Sequence, residues 1–376
     1  MVFFRWVLLF IFLITCVGCF STKLEGQPSP GSLSDIPKKR NAPSSFFSGS
    51  PISPLFENET VSSEIQGWFN ETSVLYLTER EELFSLVIHD VHSGETMPFF
   101  DTEDWIINIR ENHDYSLFAI QTVNEEDESK VLIVDSSGQI QMEIEDFGED
   151  YSVYWSSFNR DEFILIAYLP DWELDVYFIK ASEQKVKPLP IEQSYIQWVS
   201  EQKIAYLNWD QLEPSYHAPL VFFNLDTQEE QTVQDDIIAF VNASPDISFT
   251  VTVDTIYDLH SDYTFHDFRN ESIVSHLDMP ILNTYSEQWW IPFHTFGKKD
   301  EIIYYLRPKY SGDYFSYSDG YDLMAYYVRT NTGEKLSELK EHVPLAISPK
   351  EDYILVGNSF EQIFDIASQT MYPMYE

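Results

Sequence analysis

From about residue 61 onward, apolar positions along the chain come in short runs rather than at helical spacing. "FILIAY" (163–168), "IIYYL" (302–306) and "YILV" (353–356) are β-branched and aromatic, with turn residues on either side. Such runs predict strands covered on both faces. Each follows a tight polar turn that closes a preceding strand, as in "IQWVSEQKIAYLNW". A variable loop, a third strand, a second tight turn and a fourth strand complete the unit. Asp90, Asp135, Asn224 and Asp365 fall just before that second tight turn, and Gly94, Gly138 and Gly333 fall within it. These residue types supply hairpin geometry. No segment sustains a 3.6-residue apolar period.

The first strands of successive units read "GWF", "IINIR", "VYWSS", "IQWV", "IAFV", "WWIPFH" and "PLAIS", which counts seven units across 61–376. Four-stranded repeats of about 40–50 residues are the signature of a β-propeller, whereas a horseshoe repeats at about 20–29. The expected fold is therefore all-β, a ring of seven four-stranded blades.

The chain begins differently. Arg5 precedes an apolar run from Trp6 to Ile14, too short for the ~20 residues of a membrane span. It reads as a secretory leader, residues 1–18. Val17 and Gly18 then precede Cys19, as in a bacterial lipobox, although Cys16 holds the aliphatic position. The competing frame is Leu13-Ile14-Thr15-Cys16. Cys19 is the expected site of lipidation, and the expected location is the outer face of the cell membrane. Two or three acyl chains on one residue anchor stably where a single chain would be marginal. A metal or redox reading of Cys16 and Cys19 lacks a second ligand pair or a folded context. Residues 19–60 are rich in Pro, Ser and Gly and read as a tether. A flexible chain of that length reaches roughly 35 Å.

Composition sharpens this. The net charge is −40 at pH 7, with 62 acidic against 22 basic residues. Loss of the leader, which carries only Arg5, makes it one unit more negative. Such a field repels nucleic acid, so none is expected as a partner. The basic triplet Lys38-Lys39-Arg40 is the one cationic cluster.

The lipobox, the Pro/Ser tether and the acidic, aromatic blades together resemble the YqgU-like lipoproteins of Bacillus-type bacteria. That resemblance implies a six-bladed propeller, against seven units counted, and a Gram-positive surface location. It implies no catalytic residues.

The sequence contains no GxSxG, P-loop, HExxH or GxGxxG motif. His89 and His92 sit three apart and face opposite sides of a strand. "HSDYTFHDF" (260–268) is denser in His and Asp. The first strands carry almost no acid and offer Arg110, Ser156 and His294 instead, whereas glycoside hydrolysis needs two carboxylates. The expected role is a membrane-anchored binding or scaffold module, monomeric, for a surface protein, peptide or wall glycan. A propeller enzyme acting on a wall polysaccharide or peptide is the alternative. The longest departure from the repeat is "RPKYSGDYFSYSDGYD" (307–322). It concentrates Tyr310, Tyr314, Phe315, Tyr317 and Tyr321 with Asp313, Asp319 and Asp322. Tyr with Ser, Gly and Asp suits a binding loop, with Trp289, Trp290 and His294 as a floor near the ring axis. Packing of the aromatics into the loop's own core is the other reading. No cofactor is expected; Ca²⁺ held by the three aspartates is the exception considered.

Overall fold

The computed structural model describes residues 51–56, 63–80, 83–170, 173–210, 215–255, 257–283 and 291–376. The leader, Cys19, Lys38-Lys39-Arg40, Trp289 and Trp290 lie outside the described residues. Seven four-stranded antiparallel sheets follow one another, each with its strands in sequence order. Their first strands are Ser63–Trp68, Trp105–Glu111, Asp150–Trp155, Ile196–Ser200, Ala239–Asn242, His294–Gly297 and Leu345–Ile347. This is a seven-bladed β-propeller, and each blade is continuous in the chain.

Second strands are the most enclosed. Leu117–Val123 and Glu162–Tyr168 bury all five of their central residues. Neighbouring blades cover both faces, so period-two alternation vanishes there. Outer strands such as Thr332–Leu339 are mostly exposed. Seven apolar clusters fill the seven junctions between blades. Phe118 and Leu132 pack with Leu75 and Leu86 between blades 1 and 2. Phe163 and Leu165 pack with Val131 and Ile133 between blades 2 and 3. Full burial of one such side chain contributes about 1.5–3 kcal/mol.

The turns follow from the residues singled out above. Asp90, Asp135, Asn224 and Asp365 each accept two backbone N–H bonds from the residues two to four positions on. Asp267 does the same in blade 5. Buried Ser156, Ser244 and Ser348 cap the first turn of their blades in the same way.

The N-terminal boundary moves. The tether was expected to run to residue 60, but 51–56 are packed against the ring. Ser53 N–H donates to Val91 O at 2.7 Å, and Leu55 N–H donates to Met374 O at 2.7 Å. Leu55 pairs in parallel with Tyr375. Ile52 and Leu55 are buried with Trp68 and Val74 of blade 1 and with Leu355 and Ile363 of blade 7. Seven blades therefore close through a strap laid over the junction between the first and last.

Candidate binding surface

Antiparallel strands in sequence order put two kinds of connection at each end of the ring. Loops between second and third strands and links between blades share one end, here the loop rim. Both tight turns of every blade share the other, the turn rim. The 307–322 insertion joins Ile302–Pro308 to Tyr321–Tyr327, so it stands on the loop rim.

The insertion is anchored on both sides. Gly312–Asp313 pairs in parallel with Leu282–Asn283 of the link between blades 5 and 6. Within it, the Tyr317 hydroxyl accepts from Lys309 N–H at 2.8 Å and donates to Gly320 O at 2.7 Å. Tyr310 meets Tyr317 edge-on at 5.1 Å, and Tyr317 meets Tyr321 at 5.2 Å. Tyr321 reaches His342, in the link to blade 7, at 5.3 Å. Phe293 stacks on that imidazole at 4.3 Å, and its N–H donates to His342 Nε2 at 3.0 Å. An accepting Nε2 requires neutral imidazole on that nitrogen. Burial agrees, holding the His342 pKa down at about 4.

The insertion's residues therefore divide. Tyr314, Tyr317 and Tyr321 turn inward and make the loop's own core. Tyr310 and Phe315 point out, at 50% and 65% exposure. The three aspartates serve three different partners. Asp313 caps Ser316 N–H at 3.0 Å, Asp319 accepts from the Tyr310 hydroxyl, and Asp322 pairs with Lys335 at 2.7 Å. Among the described residues, no group of three or more His, Cys, Asp or Glu is placed to hold a metal ion. The Ca²⁺ reading of these aspartates therefore has no ligand set. His294 lies in the wall between blades 5 and 6. Its Nδ1 bonds Pro292 O at 2.9 Å and its ring sits edge-on to Phe249. The insertion is joined by its neighbour Phe293 instead.

The other histidines have structural duties. His89 Nε2 and His92 Nδ1 bond the strap carbonyls of Ser53 and Pro51, at 2.8 and 3.0 Å. Segment 260–267 forms the third strand of blade 5, with His266 bonded to Thr250 and His260 paired with Asp278.

The matched profile decides the family. Residues 90–357 fit the YqgU-like 6-bladed beta propeller domain. The chain belongs to the YqgU-like family. It is 22% identical over 308 residues to the Uncharacterized lipoprotein YqgU of Bacillus subtilis (strain 168), covering 81% of each chain. Its fold is similar to that of the uncharacterized protein lmo1340 from Listeria monocytogenes EGD-e, with TM-score 0.78 and 14% identity over 86% of this chain and 98% of that one. The β-propeller domain of the Trilobed protease from Pyrococcus furiosus is a more remote likeness. It has TM-score 0.54 and 11% identity over 84% of this chain and 98% of that one. So is the oligogalacturonate lyase from Vibrio parahaemolyticus, with TM-score 0.54 and 7% identity over 81% and 89%.

The YqgU-like match covers only part of the ring. It begins at Asp90, the last residue of blade 1's third strand, and stops at Gly357, after blade 7's second strand. Five blades lie wholly within it, and the first and last only in part. This YqgU-like chain has seven.

The ring axis holds a group that reading the first strands missed. Blade 2's strand runs one residue past "IINIR", to Glu111. Burial raises the Glu111 pKa and lowers that of Lys298. The acid was legible as the next letter after Arg110, but nothing local marked it as part of the strand.

Proposed function

We propose that this YqgU-like protein is lipidated at Cys19 and works outside the membrane as a binding module. On this reading its loop rim holds a cationic polypeptide. The lipoprotein name of the Bacillus subtilis relative supports the anchor. One observation carries the binding role. The eight exposed aromatic side chains among the described residues are Phe56, Trp105, Tyr195, Trp209, Tyr257, Phe293, Tyr310 and Phe315. All eight stand on the loop rim or the strap end beside it, and the turn rim has none. Exposed aromatics gathered on one face mark an interaction surface. Trp and Tyr carry a large share of binding energy at such surfaces.

Charge selects the partner. Glu125, Glu126, Asp127 and Glu128 make up the blade 2 loop on this rim, with Asp235, Asp236 and Asp254 exposed at the same end. Lysine and arginine side chains satisfy both features, pairing with carboxylates and lying over aromatic faces.

The test uses residues 43–376 and deca-lysine, followed by tryptophan fluorescence at low and physiological salt. Binding should weaken with salt. The double variant Trp209→Ala, Phe315→Ser should weaken it further, by about tenfold. Equal binding by that variant would reduce the interaction to net charge and remove the rim from it. For the anchor, Cys19→Ser should abolish labelling by a fatty-acid analogue; retained labelling, lost in Cys16→Ser, would move the site.

A further inference from the structure

The first strands of blades 2 and 3 leave a cavity of about 390 Å³ between them on the ring axis, lined by Asn108, Arg110, Glu111, Ser152, Tyr154 and Trp155. Arg110, Glu111, Tyr154 and Trp155 end their strands, so the cavity lies toward the turn rim, away from the insertion. Its walls are fixed by bonds that leave the lining groups in place. Trp155 Nε1–H donates to Arg110 O at 2.9 Å, and the Tyr154 hydroxyl donates to Ser194 O at 2.8 Å. The Trp155 ring is backed by Phe163 at 4.8 Å.

Arg110 is the distinguishing element. It is exposed to the cavity, and among the described residues its guanidinium has neither an ion pair nor a hydrogen bond. Arg269, Arg329, Lys130 and Lys335, by contrast, hold carboxylates. Lys298, from the blade 6 turn, interacts with Glu351 first and with Glu111 second. The lining holds one cation, Arg110, and one carboxylate, Glu111. A planar guanidinium with free donors matches a carboxylate bidentately. The Trp155 ring with the Asn108 amide suits a flat, hydroxyl-bearing body, and the volume suits one or two sugar rings.

We propose that this cavity binds an acidic sugar, a pyranose whose carboxylate pairs with Arg110 and whose ring packs on Trp155. The site is independent of the loop rim and can stand or fall without it. A single carboxylate in the lining fits binding rather than glycoside hydrolysis, which uses two.

Isothermal titration of residues 43–376 with glucuronate, galacturonate, glucose and glucose 6-phosphate tests it. At least one uronate should bind, and glucose should bind at least tenfold more weakly, the scale of one charge-assisted contact. Arg110→Gln should abolish uronate binding, and Arg110→Lys should restore part of it because it keeps charge but not the fork. Far-UV circular dichroism and thermal melting show whether each variant folds. The second variant keeps the test informative should Arg110→Gln perturb the ring. Tighter binding of glucose 6-phosphate than of either uronate would assign the site to phosphate and overturn the sugar-acid reading. Equal affinity for glucose, no uronate binding, or uronate binding unchanged in both Arg110 variants would also overturn it.

Discussion

The indole Nε1–H of Trp68 donates to the carbonyl of Ala346 at 2.9 Å, joining first strands of the first and last blades across 278 residues of sequence. The same device recurs around the axis. Trp155 bonds Arg110 O and Trp198 bonds Tyr154 O, both at 2.9 Å. At two other junctions Gln197 and Thr295 accept from the backbone N–H of Asn242 and Ile347. Side chains of first strands thus tie neighbouring blades at five of the seven junctions.

Trp68→Phe keeps most of the buried ring and removes the donor. Ala346 O then loses its partner in a site that is 2% exposed at Trp68. The expected cost is about 1–3 kcal/mol, read as a lower urea midpoint with an unchanged slope. Trp155→Phe, at a half-buried junction, should cost less.

The strap predicts a second outcome. A chain starting at residue 57 loses Ile52 and Leu55 from the blade 1–7 cluster and leaves the carbonyls of Val91 and Met374 without their donors. It should melt well below a chain starting at 43. Leu55→Ala alone should cost about 2–5 kcal/mol. Equal melting of the two lengths would show that the ring closes without the strap.

The second strands and the tight turns were legible because composition and local chemistry alone dictate them. Apolar runs such as "FILIAY" have one way to be covered on both faces, and Asp or Asn at a fixed place has one use there; the capping role of Ser156 was not read from its strand. The strap was not legible. Ile52 and Leu55 sit among Pro and Ser, and their value comes from Trp68 and Ile363, which the fold brings from far along the chain. The insertion stood out by length, and its Tyr310 and Phe315 are exposed. That Tyr314, Tyr317 and Tyr321 pack inward depends on His342 and Phe293, which belong to other connections. Arg110 was visible on its strand, but the cavity around it needed Ser152 and Trp155 of the next blade.

Gly320 predicts a third outcome. Its φ is +74°, and a Cβ there would stand 2.7 Å from the backbone oxygen of Leu339. Gly320→Ala should therefore strain the turn that Tyr317 closes, at a cost of about 1–3 kcal/mol. The effect should be local, with faster amide exchange at 309–320 and little change in the blade 2–3 core. Uniformly faster exchange throughout the ring would contradict a local role.

Acid should loosen the same loop, in a window set by His342. Its pKa is about 4 in the fold, against an ordinary value of 6.5. Above 6.5 both folded and unfolded forms are neutral, and docking is at full strength. Between 6.5 and 4 the unfolded form takes a proton that the folded form resists, so stability falls as pH falls. Below 4 the folded imidazole protonates too, Nε2 no longer accepts from Phe293 N–H, and the loss levels off. Buried His89, His266 and His294 also have lowered values and act in the same direction, so the global melt is not specific to the loop. Asp90, Asp135 and Asp267 add to the loss only at more acid pH, since their capping bonds hold them below the usual 3.8. The specific readout is amide exchange at Phe293 and 309–320 between pH 7 and 4.5, corrected for intrinsic rates. Protection there should fall with pH in the native chain. In His342→Phe, which keeps the ring contacts with Phe293 and Tyr321 but cannot titrate, protection of 309–320 should lose this pH dependence. The same pH profile in both proteins would show that His342 does not govern the docking.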